Sequence, residues 1–208
     1  MTSRKLRPGK IVCVGRNYRE HARELGNEVP KDPLIFLKPP SSVVWAGDAI
    51  ELPSQSEKVD YEGEIGIVIG KALRQVSEDA AREGIRSVIA VNDVTARDLQ
   101  KSDGQWTRAK GFDTFCPLGE ESSSVPDLST LSVVTRVNGA VRQNGNTSEM
   151  VFSIPFLLAY ISRIMTLEPG DLVATGTPSG VGPLVPGDVV EIEIPGLSRV
   201  SNPVRGNR

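Results

Sequence analysis

Glu62 and Glu64 stand two positions apart in VDYEGEIGIVIGK, residues 59–71, where acidic side chains give way to an apolar run. Read at the two-residue period of a strand, Ile65, Ile67 and Ile69 share one face, while Glu62, Glu64, Gly66, Val68 and Gly70 share the other. The two glutamate Cα atoms are then about 6–7 Å apart, so both carboxylates can converge on one point. Two such charges about 4 Å apart, at an effective dielectric near 20, repel by on the order of 4 kcal/mol, and a cation between them would remove that cost. The plainer alternative is a half-buried antiparallel strand whose acidic face is simply solvated.

Four other segments bear on that choice. SVIAVNDVTARDLQ, residues 87–100, reads as a buried strand ending at Asp93 and turning into a polar, helix-compatible segment. Asp93 either caps that turn or joins Glu62 and Glu64 as a third hard oxygen donor. Three carboxylates with no His or Cys donor suit Mg2+ or Mn2+ rather than zinc or copper. His21 is the one histidine of the chain, so any imidazole base is this residue. Glu24, three positions on, shares its helix face and can fix its tautomer; the same stretch also fits an exposed charged helix. Lys110, in TRAKGFDTFCPLG (107–119), is set among Gly, aromatics and Pro instead of a charge run. It can meet a developing oxyanion or a substrate carboxylate, or lie along the surface with only its stem buried. ATGTPSGVG, residues 174–182, offers backbone N–H groups and the Thr177 hydroxyl to an anion. It lacks the Lys-Ser/Thr ending of a phosphate-binding loop, so there is no case for a nucleotide.

The elements that must position these groups are mostly strands. Twenty Gly and 15 Pro punctuate many short apolar runs, the rhythm of a β-rich protein with elaborate loops. Strands are expected at 10–14, 34–38, 42–45, 65–70, 87–92, 131–137, 171–175 and 188–194. Asn138-Gly139 predicts a type I′ hairpin with its return strand at 140–143. Helices are expected at 17–25 with Asn17 as cap, at 77–85, and at 153–164 with Ser153 as cap and a core-facing stripe of Phe156, Leu157, Tyr160, Ile161 and Ile164. A chain of 208 residues without a low-complexity linker is read as one domain, 1–208. Lys and Arg total 24 against 26 Asp and Glu, which gives no electrostatic case for nucleic acid or a membrane surface. No apolar run reaches the length of a membrane span, and the basic start has no signal-peptide core, so a cytoplasmic protein with a small-molecule partner is expected. Cys13 and Cys116 form no metal-type spacing and are expected to be buried, reduced thiols.

Taken together, VGRNYREHARELG, PLIFLKPPSS, DYEGEIGIVIGK, VNDVTARDLQ, TRAKGFDTFCPLG, RVNGAVRQNGNTSEMVFSIP and EPGDLVATGTPSGVG resemble the fumarylacetoacetate hydrolase family over nearly the whole chain. They are most similar to its short members of the acylpyruvate hydrolase and oxaloacetate decarboxylase kind. The resemblance implies a mixed, predominantly β (α+β) roll around a metal site with a few short helices, assembled as a homodimer. It implies Glu62, Glu64 and Asp93 as ligands of Mg2+ or Mn2+, and His21, Glu24 and Lys110 as catalytic residues. Arg16, Lys38, Gln100 and Thr177 are implied as substrate contacts. The implied activity is hydrolysis of a C–C bond in 2,4-diketo acids such as acylpyruvates, with oxaloacetate decarboxylation as a further reaction. The alternatives are an isomerase or tautomerase of the 2-hydroxyhepta-2,4-diene-1,7-dioate or oxaloacetate type, and a catalytically silent metal- or ligand-binding subunit of the same fold.

Overall fold

The structure, a computed structural model, describes residues 5–24, 26 and 28–206. The chain runs through β1 (Ile11–Gly15), α1 (Arg19–Glu24), β2 (Leu34–Lys38), β3 (Val43–Trp45), β4 (Ile50–Leu52), β5 (Val59–Tyr61) and β6 (Gly63–Ile69). There follow α2 (Glu78–Glu83), β7 (Ile85–Asn92), β8 (Thr95–Ala96), α3 (Arg97–Ser102), α4 (Thr107–Lys110) and β9 (Cys116–Leu118). The last part holds β10 (Ser132–Val137), β11 (Ala140–Asn146), α5 (Ile154–Ile164), β12 (Leu172–Ala174), β13 (Gly182–Pro183), β14 (Val189–Ile194) and β15 (Ser198–Gly206). The fold is α+β and mostly β, as expected.

A seven-stranded sheet in the order β2-β1-β12-β6-β7-β9-β3 curls into a half-barrel. It is mixed, with β1·β12 and β3·β9 parallel and the other pairings antiparallel. A five-stranded sheet, β11-β10-β14-β15-β4, and a small one, β13-β5-β8, complete the fold. The apolar cluster on one side of the large sheet takes Ile65, Ile67 and Ile69 together with Val133 and Ile192 of the second sheet and Leu157 and Ile161 of α5. The other side carries Cys13, Val68, Ile89, Val91, Cys116 and Leu172. β6 is therefore buried throughout, not on one face only as its alternation suggested. Burying three isoleucines is worth roughly 5–9 kcal/mol as an upper bound. A one-residue slip would forfeit that and drive both glutamates into the opposite layer, so the core itself fixes where the acids point.

Several local expectations hold for visible reasons. Asn138 and Gly139 have φ of 52° and 80°, as the mirror-image turn requires, and β11 returns beyond the expected 140–143. Ser77 and Ser153 cap α2 and α5 through their hydroxyls. Asn17 differs. It caps nothing: its amide donates to the carbonyls of Phe152 and Thr175 and its Oδ1 accepts from the Phe152 N–H, tying α1 to the start of α5 and to the end of β12. α1 begins at Arg19 instead, and the expected helix end at Leu25 lies outside the described residues. The stripe on α5 is also rotated from expectation, because Ile154, Leu157, Leu158 and Ile161 are buried whereas Phe156 and Tyr160 are half-buried and Ile164 is 54% exposed. Cys13 and Cys116 are free and buried.

Candidate metal centre and active site

Glu62 sits in the one-residue break between β5 and β6, and Glu64 two residues later on β6 itself. β7 runs antiparallel beside them, pairing Gly63 with Asn92, which brings Asp93 to the same end. Two bonds lock the junction: the Asp93 N–H donates to the Glu62 carbonyl (2.8 Å) and the Glu62 N–H to Asn92 Oδ1 (3.0 Å). The residue between the glutamates has to be glycine, since a Cβ at Gly63 would land on Thr135 Oγ1 and crowd Ile192 and Gln143. As a result one carboxylate oxygen each from Glu62, Glu64 and Asp93 lie within 4.8 Å of one another, all in buried residues.

These acids are matched by cations from other elements. Lys110, at the end of α4 and 2% exposed, donates to Glu62 Oε2 (2.8 Å) and to Asp93 Oδ2 (2.6 Å). Arg97, opening α3, donates to Glu62 Oε1 (2.6 Å), Asp60 Oδ2 (2.9 Å) and Gln100 Oε1 (2.7 Å). Lys38, ending β2, donates to Asp93 Oδ1 (2.7 Å) and the Val94 carbonyl (3.1 Å). Among the described residues Glu64 has no lysine or arginine partner; its Oε2 accepts the Gly176 N–H at 2.8 Å. Gly176 reaches it with φ of 104°, a conformation natural to glycine.

The network sets protonation. Burial raises Glu62, but Lys110 and Arg97 outweigh it and hold the carboxyl far below the usual range. Burial would lower Lys110, and Asp93 and Glu62 reverse that, pushing it up to about 12. Glu64 goes the other way, raised well above the carboxylate range by burial and by its neighbours Asp93 and Glu62. His21, 4% exposed, is lowered by burial against the pull of Glu62 and of its hydrogen bond with Glu24. Its Nδ1 lies 3.4 Å from Glu24 Oε2, and that same carboxylate accepts the Gly180 N–H (3.1 and 3.2 Å).

A cavity of about 590 Å³ opens over these groups, its wall including Arg16, His21, Glu24, Glu62, Glu64, Asp93, Gln100, Lys110 and Thr177. Nine of the ten side chains singled out from the sequence thus meet in one place. Lys38 is the exception: it is buried outside the wall, with its ammonium bonded to Asp93. Thr177 is in the wall, but its hydroxyl donates to the Gly63 carbonyl and accepts from Gln143 Nε2, so its proton is directed inward. Neither the solvated-strand reading of Glu62 and Glu64, nor the exposed-helix reading of His21, nor the surface reading of Lys110 survives this burial.

Sequence reasoning missed Asp60, Arg97 and Gln143. Gln143 is buried in β11 and accepts from the Gly63 N–H and the Thr135 hydroxyl while donating to Thr177 and Pro178, bracing the Glu-Gly-Glu turn. Arg97 carried a weak signal, standing four residues after Asp93; Gln143, in a polar hairpin strand, carried none.

The donor set fits a hard divalent cation. Four buried carboxylates (Asp60, Glu62, Glu64, Asp93) face three buried cations (Lys38, Arg97, Lys110), leaving one negative charge in excess when all are ionised. Each carboxylate oxygen that accepts one bond retains a second acceptor site, and there is no His or Cys among the clustered donors to favour a softer metal.

Residues 10–205 match the model of the fumarylacetoacetate (FAA) hydrolase C-terminal family. The chain belongs to this family. A mitochondrial oxaloacetate decarboxylase of Dictyostelium discoideum is 46% identical over 195 residues, which cover 90% of this chain and 89% of that one. A mitochondrial oxaloacetate tautomerase of Arabidopsis thaliana is also 46% identical, over 207 residues, with coverage of 96% and 93%. Among solved structures, a 5-carboxymethyl-2-hydroxymuconate delta-isomerase from Mycobacterium smegmatis superposes with a TM-score of 0.91 at 44% identity, covering 98% of this chain and 81% of its own. These fumarylacetoacetate hydrolase relatives carry decarboxylase, tautomerase and isomerase names, so the hydrolase expectation is no better supported than its isomerase alternative. No helix among the described residues is long and apolar enough to cross a membrane.

Proposed function

We propose that this chain is a divalent-metal-dependent enzyme acting on an enolisable 2-oxo acid, with oxaloacetate the first substrate to test. The observation that carries the reading is the buried cluster of Glu62, Glu64 and Asp93, shared with Lys110 and opening into the same cavity as His21. Glu62, Glu64 and Asp93 would hold Mg2+ or Mn2+, which supplies Lewis acidity toward the oxygens of a 2-oxo acid. Lys110, charged at every physiological pH, presents its ammonium to negative charge developing on a substrate oxygen. His21, neutral near pH 7 and steadied by Glu24, takes a proton at its free ring nitrogen. Arg16 and Gln100 line the cavity and orient the acid. The names of the Dictyostelium and Arabidopsis relatives support oxaloacetate as the substrate, by tautomerisation or decarboxylation.

A second reading, hydrolysis of a 2,4-diketo acid at its C–C bond, is favoured by the His21–Glu24 pair, because a histidine with a carboxylate partner in the cavity wall can deprotonate a water. Assembly as a homodimer belongs to the same proposal and is read out by sedimentation. Activity is tested by supplying oxaloacetate and acylpyruvates with Mg2+ or Mn2+, following enol absorbance and pyruvate release separately. Turnover of oxaloacetate in either channel, lost on chelation, is expected. Absence of turnover on every 2-oxo acid in the presence of metal overturns the reading.

A further inference from the structure

Arg97 spreads one charge over three acceptors. Its Nε donates to Asp60 Oδ2 at 2.9 Å, its Nη2 to Glu62 Oε1 at 2.6 Å and its Nη1 to Gln100 Oε1 at 2.7 Å. The Nε and Nη2 hydrogens of a guanidinium lie along one edge and point the same way, a fork that matches the two oxygens of a single carboxylate. Here the fork is split between two carboxylates, and Asp60 is left incomplete. This residue is 3% exposed, and its Oδ1 is buried with no hydrogen-bond partner among the described residues. Buried polar atoms without a partner are few in folded proteins, and each calls for a reason.

The surroundings of Asp60 suggest one. β5 is held on both edges, with Asp60 paired to Thr95 of β8 on one and to Pro183 of β13 on the other. The Arg97 N–H donates to the Lys58 carbonyl at 2.7 Å, so the root of the arginine is fixed beside the same strand and a change of partner needs only a turn at its tip. Glu62, by contrast, is fully engaged: Arg97 holds its Oε1 and Lys110 its Oε2. A divalent cation bound to Glu62 and a guanidinium bonded to the same carboxylate repel each other. Moving Nη2 from Glu62 Oε1 to Asp60 Oδ1 relieves that repulsion, completes the fork and satisfies the unpartnered oxygen.

We infer that Asp60 is a positioning residue that acts through Arg97: its unpartnered Oδ1 receives the Arg97 Nη2 donor when Glu62 takes up a divalent cation. The guanidinium thereby exchanges a grip shared between two acids for a two-bond grip on Asp60, and Glu62 Oε1 is released to the cation. The inference rests on the reading of Glu62, Glu64 and Asp93 as the cation site.

A crystal structure of the unmodified protein with Mn2+ reads the exchange directly, and Nη2 is expected within hydrogen-bond distance of Asp60 Oδ1. A bound ion with Asp60 Oδ1 still lacking Nη2 overturns the exchange and leaves the cation site standing. Failure to bind Mn2+ overturns the cation site, and the exchange with it. In solution, Asp60→Asn keeps the side-chain shape and an acceptor for Nε but puts an amide donor where Oδ1 stands, so Nη2 has nowhere to go. Titration followed by the electron paramagnetic resonance of free Mn2+ should show affinity falling by about 10- to 100-fold, the usual worth of a group that orients a metal ligand. An unchanged affinity overturns the inference. In an Arg97→Gln background the same Asp60→Asn change should add almost nothing, because the residue it acts through is gone. An equal loss in that background is a through-space effect of the Asp60 charge, and it overturns the coupling to Arg97.

Discussion

The floor and the mouth of the cavity are built from the same kinds of residue and behave oppositely. On the floor, Glu62, Asp93, Lys110 and Arg97 are buried and reciprocally bonded, and each sits at the end of a strand or on a short helix held by backbone bonds. At the mouth, Lys58 and Lys101 are exposed and Arg16 half-buried, with no carboxylate assigned to them among the described residues. Desolvation explains the contrast. A buried charge without a partner costs several kcal/mol, so the floor had to be closed, whereas water covers an idle charge at the surface at little cost. Chemistry that must be the same for every substrate belongs on the floor; discrimination among substrates can be left to the mouth.

That division can be broken most severely at the floor. Glu62→Ala or Asp93→Ala is expected to abolish activity and metal binding together, because each removes one of the three donors clustered among the described residues. Titration with Mn2+ checks it, and tight binding of one ion by the double variant would refute the assignment. His21→Ala should lose on the order of 10²- to 10⁴-fold in acylpyruvate hydrolysis, the usual worth of a general base, while oxaloacetate decarboxylation, which needs no activated water, falls much less. Steady-state rates on the two substrates at saturating Mg2+ decide this; equal losses would remove the water-base role.

Arg97→Met leaves Asp60 and Glu62 buried without their shared cation, and denaturant unfolding should show a loss of about 3–5 kcal/mol. The pH dependence follows from His21. Its folded pKa lies below the ordinary histidine value, so the unfolded chain takes up the proton first, and stability falls as pH drops from about 6.5 through the folded pKa. The neutral, proton-accepting form persists over the same interval. Activity should therefore hold below pH 6.5 and fall only at the lower folded pKa, a limb that His21→Gln should erase.

Much of the floor was legible because burial and chemistry wrote the same pattern. The alternation through Ile65, Ile67 and Ile69 fixes a register, and a register fixes which way Glu62 and Glu64 point. The place of Lys38 was not legible, because a lysine bonded to a buried carboxylate and one that lines a cavity are identical in sequence; only the bond to Asp93 Oδ1 separates them. β15 escaped notice although its burial alternates cleanly, since the inward positions include Ser198 and Asn202 and the strand contains Pro203. Those polar residues are inside because each answers a backbone group: Ser198 accepts from the Ala90 N–H and donates to the Glu120 carbonyl, and Asn202 donates to the carbonyls of Trp45 and Asp48. β4 and β9 are three residues each and gave too short a pattern to be told from loop.

Asn17 has a mechanical consequence. Its three bonds anchor the root of α1 to Phe152 and Thr175, while the far end of the helix is fastened by the Glu24 carboxylate on the Gly180 N–H, at the surface. One carboxylate therefore does two jobs at the free end of the helix: Glu24 fastens α1 to the Gly180 loop and, through the same group, sets the aim of the His21 ring, so the stiffness of the helix end and the orientation of the imidazole are a single property of the molecule.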